Sequence, residues 1–227
     1  MSMNTLRSTL IASFALSVVA FAQPNVTVDT QYQVRYVANL NLGDSVVNIT
    51  NTGARGAGLA AGTSPSTTGA ICVNVYAFSP DEQMISCCSC PVTPNGLVHL
   101  TARRDLVNNT LTPAVPTSIV VKLVATVPVA NSCAGSAATW GTLTSGMLAW
   151  GTTVHAGAAP GSAAVITETP FLPAMLSGST PPIVPDPFVG IGETRRLQDL
   201  CTFIQANGSG FGICSSCRLG GLGAGRL

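Results

Sequence analysis

Apolar and polar positions alternate with period two along much of the chain. Val26 and Val28, then Tyr32, Val34 and Tyr36, alternate with polar residues, the pattern of a half-buried strand. Val47 and Ile49 repeat it within residues 45–50, and Asn51-Thr-Gly53 closes that run. The clearest strand is 71–78. Ile71, Val73, Val75 and Ala77 form a wholly apolar face, and Cys72, Asn74, Tyr76 and Phe78 form a mixed one. A strand with these two faces suits a sheet packed on another sheet. Residues 97–102, 118–127, 147–156 and 163–167 complete the predicted β set; 118–127 is a β-branched run expected to be buried on both faces. Residues 40–43 and 79–82 read as turns, and the Ala-, Gly-, Ser- and Thr-rich stretch 54–69 reads as a loop.

The period changes near the C-terminal end. Residues 177–190 hold four prolines and favour an extended, semi-rigid connector. Beyond it the pattern predicts a helix over 194–206, with Leu197, Leu200, Cys201 and Ile204 on one face and Asn207-Gly208 as the stop. A glycine-rich tail follows. The expected fold is therefore mainly β: an Ig-like or other β-sandwich over 23–176, a Pro-rich connector over 177–192, and a short helix with a disulfide-bonded, Gly-rich tail over 193–227.

Residues 1–22 read differently, as a secretory signal peptide. Arg7 is the basic n-region, 10–21 the short apolar core, and Ala20-Phe21-Ala22 the cleavage site, which makes Gln23 the expected mature N-terminus. The apolar run is short of the ~20 residues a membrane-spanning helix needs, and no later stretch is long and apolar enough, so no transmembrane segment is expected in the mature chain.

Composition narrows the function classes. Only 8% of the 227 residues are charged, against 46% hydrophobic, and 10 basic side chains face 9 acidic ones. A nucleic-acid binder needs a dense basic surface, so nucleic acid is excluded as a partner. Gly 23 and Pro 15 argue against a mainly helical protein.

Cys72, Cys87, Cys88, Cys90, Cys133, Cys201, Cys214 and Cys217 are the eight cysteines. An even count behind a signal peptide reads as four disulfides. Cys87-Cys-Ser-Cys90 and Cys214-Ser-Ser-Cys217 each contain a C-x-x-C that could present thiolates to zinc, but the separation of the two pairs is far from zinc-ribbon spacing. Neither pair opens a helix that would acidify a thiol for redox exchange. Five cysteines lie before the connector and three after it. With both counts odd, full pairing within the chain requires at least one disulfide across the connector. Cys214 or Cys217 is the expected partner for the 87–90 block, since Cys201 sits on a helix face.

The other chemical candidates are sparse. His99 and His155 are the two imidazoles. A triad of His99 with Asp105 and a serine is conceivable, although no G-x-S-x-G and no H-E-x-x-H occurs. Lys122 is the sole lysine and follows no glycine, which excludes a P-loop. Asp81-Glu82 is a carboxylate pair in a turn, not two groups flanking a sugar. Trp140 and Trp150 are expected to pack in the sheets, with a carbohydrate-stacking platform as the alternative. Asn25, Asn48, Asn108 and Asn207 open N-x-[ST] sequons. No catalytic residue, metal site or cofactor is assigned.

The run Ile71-Cys-Val-Asn-Val-Tyr-Ala-Phe, the Cys-Cys-Ser-Cys-Pro block and the closing Ile-Gln-Ala-Asn-Gly-Ser-Gly-Phe-Gly-Ile-Cys resemble a group of uncharacterised secreted, cysteine-containing bacterial proteins. The resemblance implies export and a shared cysteine framework, and transfers no catalytic residue. The expected function is a secreted, non-enzymatic structural, surface or adhesion-type protein, located outside the cell, at its surface or in the periplasm. Its expected partners are other cell-surface proteins or polysaccharide. The alternatives are an extracellular enzyme, either a thiol–disulfide oxidoreductase or a hydrolase, and a carbohydrate-binding module.

Overall fold

A computed structural model of the chain describes residues 31–58, 68–107, 115–133, 135, 141–159, 161–176 and 192–206. The first sheet contains β1 (Tyr32–Val37), β3 (Ile71–Phe78), β4 (Met84–Val92), β6 (Ile119–Thr126) and β9 (Leu172–Pro173), in the spatial order β4-β3-β6-β1-β9. The second holds β2 (Val46–Asn51), β5 (Leu97–Thr101), β7 (Met147–His155) and β8 (Val165–Pro170), in the order β5-β2-β7-β8. Every pairing is antiparallel.

The core sits between the sheets. Ile71, Val73, Val75 and Ala77 of β3 and Ile119, Val121, Leu123 and Ala125 of β6 come from one side. Val47 and Ile49 of β2, Val98 and Leu100 of β5, and Met147 and Ala149 of β7 meet them from the other. Strand residues of one parity line one face, so the alternation in the sequence becomes the two inner faces of a β-sandwich.

The mixed face of β3 is also buried: α1 (Glu193–Ala206) packs over Tyr76 and Phe78 as a third layer, while Cys72 is tied to Cys133 and Asn74 is bonded to Thr126 and Ser89. Leu197, Cys201 and Ile204 of α1 sit against Tyr32, Tyr76, Phe78, Cys87 and Val124. Three of the four residues on the predicted helix face are thus fully buried, and Leu200 packs at the margin. Lys122 pairs with Glu193 at the helix start. The Lys122 ammonium and the Arg196 guanidinium lie 5.0 and 5.4 Å from the centre of the Phe78 ring, within cation–π range.

Four elements depart from the pattern reading. In β1 the parity is reversed: Gln33, Arg35 and Val37 face the core opposite Leu123, Val121 and Ile119, while Tyr32 and Val34 turn to the helix side and Tyr36 is exposed, because register with β6 and not local apolarity sets the face. The cysteine block is a nine-residue strand, β4, paired with β3 along its length. Pro is a poor strand former, and a register shift opposite Ala77 and Phe78 puts Ile85 out of step with Cys88, Cys90 and Val92, so the run shows no clean period of two. Pro91 is tolerated because β4 is the edge of its sheet. β8 runs to Pro170 rather than ending near 167, for the same edge-strand reason. Ala102–Val107, after β5, is a π-helical turn closed by the buried carboxylate of Asp105, which accepts from the Thr101 N–H at 2.7 Å and its hydroxyl at 3.1 Å. The signal peptide, the connector over 177–191, Trp140, Cys214 and Cys217 lie outside the described residues.

Candidate functional site

The cysteines are structural wherever they are described. Cys72 bonds Cys133, and Cys87 bonds Cys201 across 114 positions of sequence. Cys88 and Cys90 are also disulfide-bonded, and no described cysteine is free. A bridge across the connector therefore exists, and for Cys87 its tail partner is Cys201, the helix-face cysteine; Cys214 and Cys217, the expected partners of the 87–90 block, lie outside the described residues. The helix face that buries Cys201 is laid on the outer face of the first sheet, where Cys87 points. Cys88 and Cys90 face the opposite way, into the sandwich core. The C-x-x-C of the sequence is thereby split between two layers, and its first sulfur is consumed in a disulfide. Among the described residues no three His, Cys, Asp or Glu side chains gather into a group able to hold a metal ion.

His99 and Asp105 do not meet. Asp105 is committed to Thr101 and to Arg104, whose guanidinium lies 3.1 Å away. His99 lies instead on the solvent face of the second sheet. Asp81 and Glu82 stand exposed in the β3–β4 turn, with the Ser79 hydroxyl bonded to the Asp81 carboxylate. His155 ends β7, and its Nε2 is 2.8 Å from the Thr167 hydroxyl.

That solvent face carries the most developed polar arrangement in the described residues. Val98, Leu100, Val47, Ile49, Met147 and Ala149 point inward, so their strand neighbours point out. Register then sets His99 opposite Asn48, Asn48 opposite Trp150, and Trp150 opposite Pro170, one row across four strands. Facing residues in such a row have Cβ atoms roughly 5 Å apart. The row is wired. His99 Nδ1 lies 3.1 Å from Asn48 Oδ1 and donates to it, since an amide oxygen can only accept. Asn48 Nδ2 donates to Glu168 Oε1 at 3.2 Å. This fixes the Asn48 amide orientation and the His99 tautomer, and it occupies the one described sequon asparagine. Trp150 and Asn48 are half-buried; His99, Glu168 and Pro170 are exposed.

A second polar feature lies inside the sandwich. Arg35 projects from β1 between the sheets and is only 8% exposed. Its guanidinium donates to the Thr169 carbonyl at 2.9 Å, to the Thr169 hydroxyl, and to the Thr153 hydroxyl at 2.9 Å. Burial lowers its pKa, and the nearby Glu168 charge partly offsets that. Gly151 makes room for it: a Cβ there would lie 2.4 Å from Arg35 Nε. Nothing in the sequence marks Arg35 as an interior residue except its parity with Val37.

No protein-family model, curated protein or solved structure matches the chain. Among the described residues no helix is long and apolar enough to cross a membrane.

Proposed function

We propose that the chain is an exported, non-enzymatic surface or adhesion-type protein, a disulfide-locked sandwich that works by presenting a fixed face. The Cys87–Cys201 bridge carries this reading. It ties a strand to a helix 114 positions away, and every described cysteine is oxidised. Such a framework persists in oxidising compartments and not in a reducing cytosol. The signal-like N-terminus and the resemblance to secreted, cysteine-containing bacterial proteins support the same compartment. The low charge and the ordered polar face of the second sheet support contact with protein or polymer surfaces over turnover of a substrate. The test is to produce the chain with its own leader, fractionate the cells, titrate thiols after denaturation, and measure retention of the labelled protein on intact cells and extracellular polymer. Extracytoplasmic protein starting at Gln23, with no titratable thiol and with surface retention, is expected. Cytosolic protein carrying free thiols overturns the reading of export, and absence of retention overturns the reading of adhesion.

A further inference from the structure

We propose that the outer face of the second sheet binds a neutral polysaccharide, with Trp150 as the stacking surface and Asn48, His99 and Glu168 as the hydrogen-bonding row beside it. The inference rests on the reading of the chain as an exported surface protein and names what its face would hold.

Three observations favour this occupant. The row His99–Asn48–Trp150–Pro170 crosses all four strands, so it forms a ledge and not an isolated side chain. A sugar ring presents an apolar C–H plane bordered by hydroxyls, and an aromatic ring flanked by donors and acceptors matches both parts. The polar groups are held before any ligand arrives. The His99–Asn48 and Asn48–Glu168 bonds immobilise the amide and the carboxylate over β7, the strand that carries Trp150. Preorganised groups lose less entropy on binding.

Charge and exposed apolar area exclude the rival occupants. The ledge holds one carboxylate and one imidazole and no Lys or Arg, so it has nothing to attract sulfated or carboxylated chains, and Glu168 repels them. A protein partner calls for an apolar centre with a polar rim. Here the exposed apolar residues Leu97 (55%) and Ile166 (66%) sit at diagonal corners of the face, with the polar row between them.

The full exported protein should be run through native gels containing hydroxyethylcellulose, xylan, mixed-linkage β-glucan or galactomannan, with polygalacturonate and heparin as anionic controls. Retardation by at least one neutral polymer, and by neither anionic one, is expected. Trp150→Ala should weaken it about tenfold or more, the scale of losing a central aromatic anchor. The His99→Ala/Asn48→Ala double variant should weaken it by a smaller factor. Should Trp150→Ala fail to fold, the retaining polymer must still protect Trp150 of the native protein from N-bromosuccinimide oxidation, read by peptide mass. Retardation that survives loss of Trp150, an unprotected Trp150, preferential binding of the anionic polymers, or no retardation at all overturns the inference. Extracytoplasmic location and absence of thiols, measured on the same preparation, separate its failure from failure of the reading beneath it.

Discussion

Replacing Gly151 with alanine should destabilise the protein through one side chain on the opposite sheet. Gly151 lies mid-strand in β7, paired with Val47 and Thr169, and its backbone is outside the left-handed region, so alanine itself is unstrained there. The added Cβ would stand 2.4 Å from Arg35 Nε, 2.7 Å from Cδ and 3.0 Å from Cζ. These atoms are the stem of the guanidinium and cannot swing aside while its tip stays bonded. The side chain must leave, losing its bonds to Thr169 and Thr153. Hydrogen bonds to charged groups are worth ~1.5–3 kcal/mol each, and rehydration of the expelled cation returns part of that. A net loss of about 2–4 kcal/mol is expected. In an Arg35→Ala background the same glycine substitution should cost nothing, or stabilise by ~0.4–1 kcal/mol through the unfolded chain. Equilibrium urea unfolding of the four oxidised proteins, with unchanged m-values, reads the coupling directly. Equal losses in both backgrounds would refute the account of Arg35 as the residue Gly151 accommodates.

Three further outcomes follow from the geometry. Val73→Asp puts a carboxylate at a fully buried position between the sheets and should cost several kcal/mol, seen as lost secretion or a collapsed melting temperature. Removing the long bridge with Cys87→Ala and Cys201→Ala should cost about 3–5 kcal/mol in the chain-entropy model and raise hydrogen exchange in α1 before the sandwich, as backbone exchange mapping would show. Burial and the Glu193 charge push the Tyr32 hydroxyl up to about 12, and burial raises Tyr76 as well. The native state therefore keeps phenolic protons that the unfolded chain gives up near pH 10, so stability should be constant below that and fall between about 10 and 12. Urea midpoints that stay flat across that window would contradict the burial of these rings.

How much was legible depended on the kind of signal. The 71–78 strand, the 119–126 run and the 193–206 helix announced themselves because hydrophobic period and burial agree: Ile71, Val73, Val75 and Ala77 are core residues, and Leu197, Cys201 and Ile204 are the docked face. β4 was opaque because its pairing comes from β3 and not from its own residue types. The bridge across the connector followed from parity alone. Its partner did not, since Cys201 on a helix face could be placed only once that face had a surface to cover. The ledge was visible only as separate residues. His99 and Trp150 stand out individually, but Asn48 and Glu168 join them through register, a property of paired strands and not of local sequence.

The spacing of the bridged cysteines also sets an order in time. Cys87 is synthesised 114 residues before Cys201, an interval on the order of ten seconds at ordinary translation rates. During it Cys72, Cys87, Cys88 and Cys90 are all present, and Cys133 is the first native partner to arrive. A hairpin such as β3–β4 closes in ~1–10 μs, whereas thiols oxidise over seconds or longer. Each visit to the hairpin turns Cys87 away from Cys88 and Cys90, onto the other side of the strand. The nascent chain thus has a geometric guard against short-range mispairing long before the correct bond can form. The helix acts as a late clasp: a chain cut anywhere before Cys201 leaves the Cys87 thiol without its mate, so each such product carries a thiol that the finished protein does not.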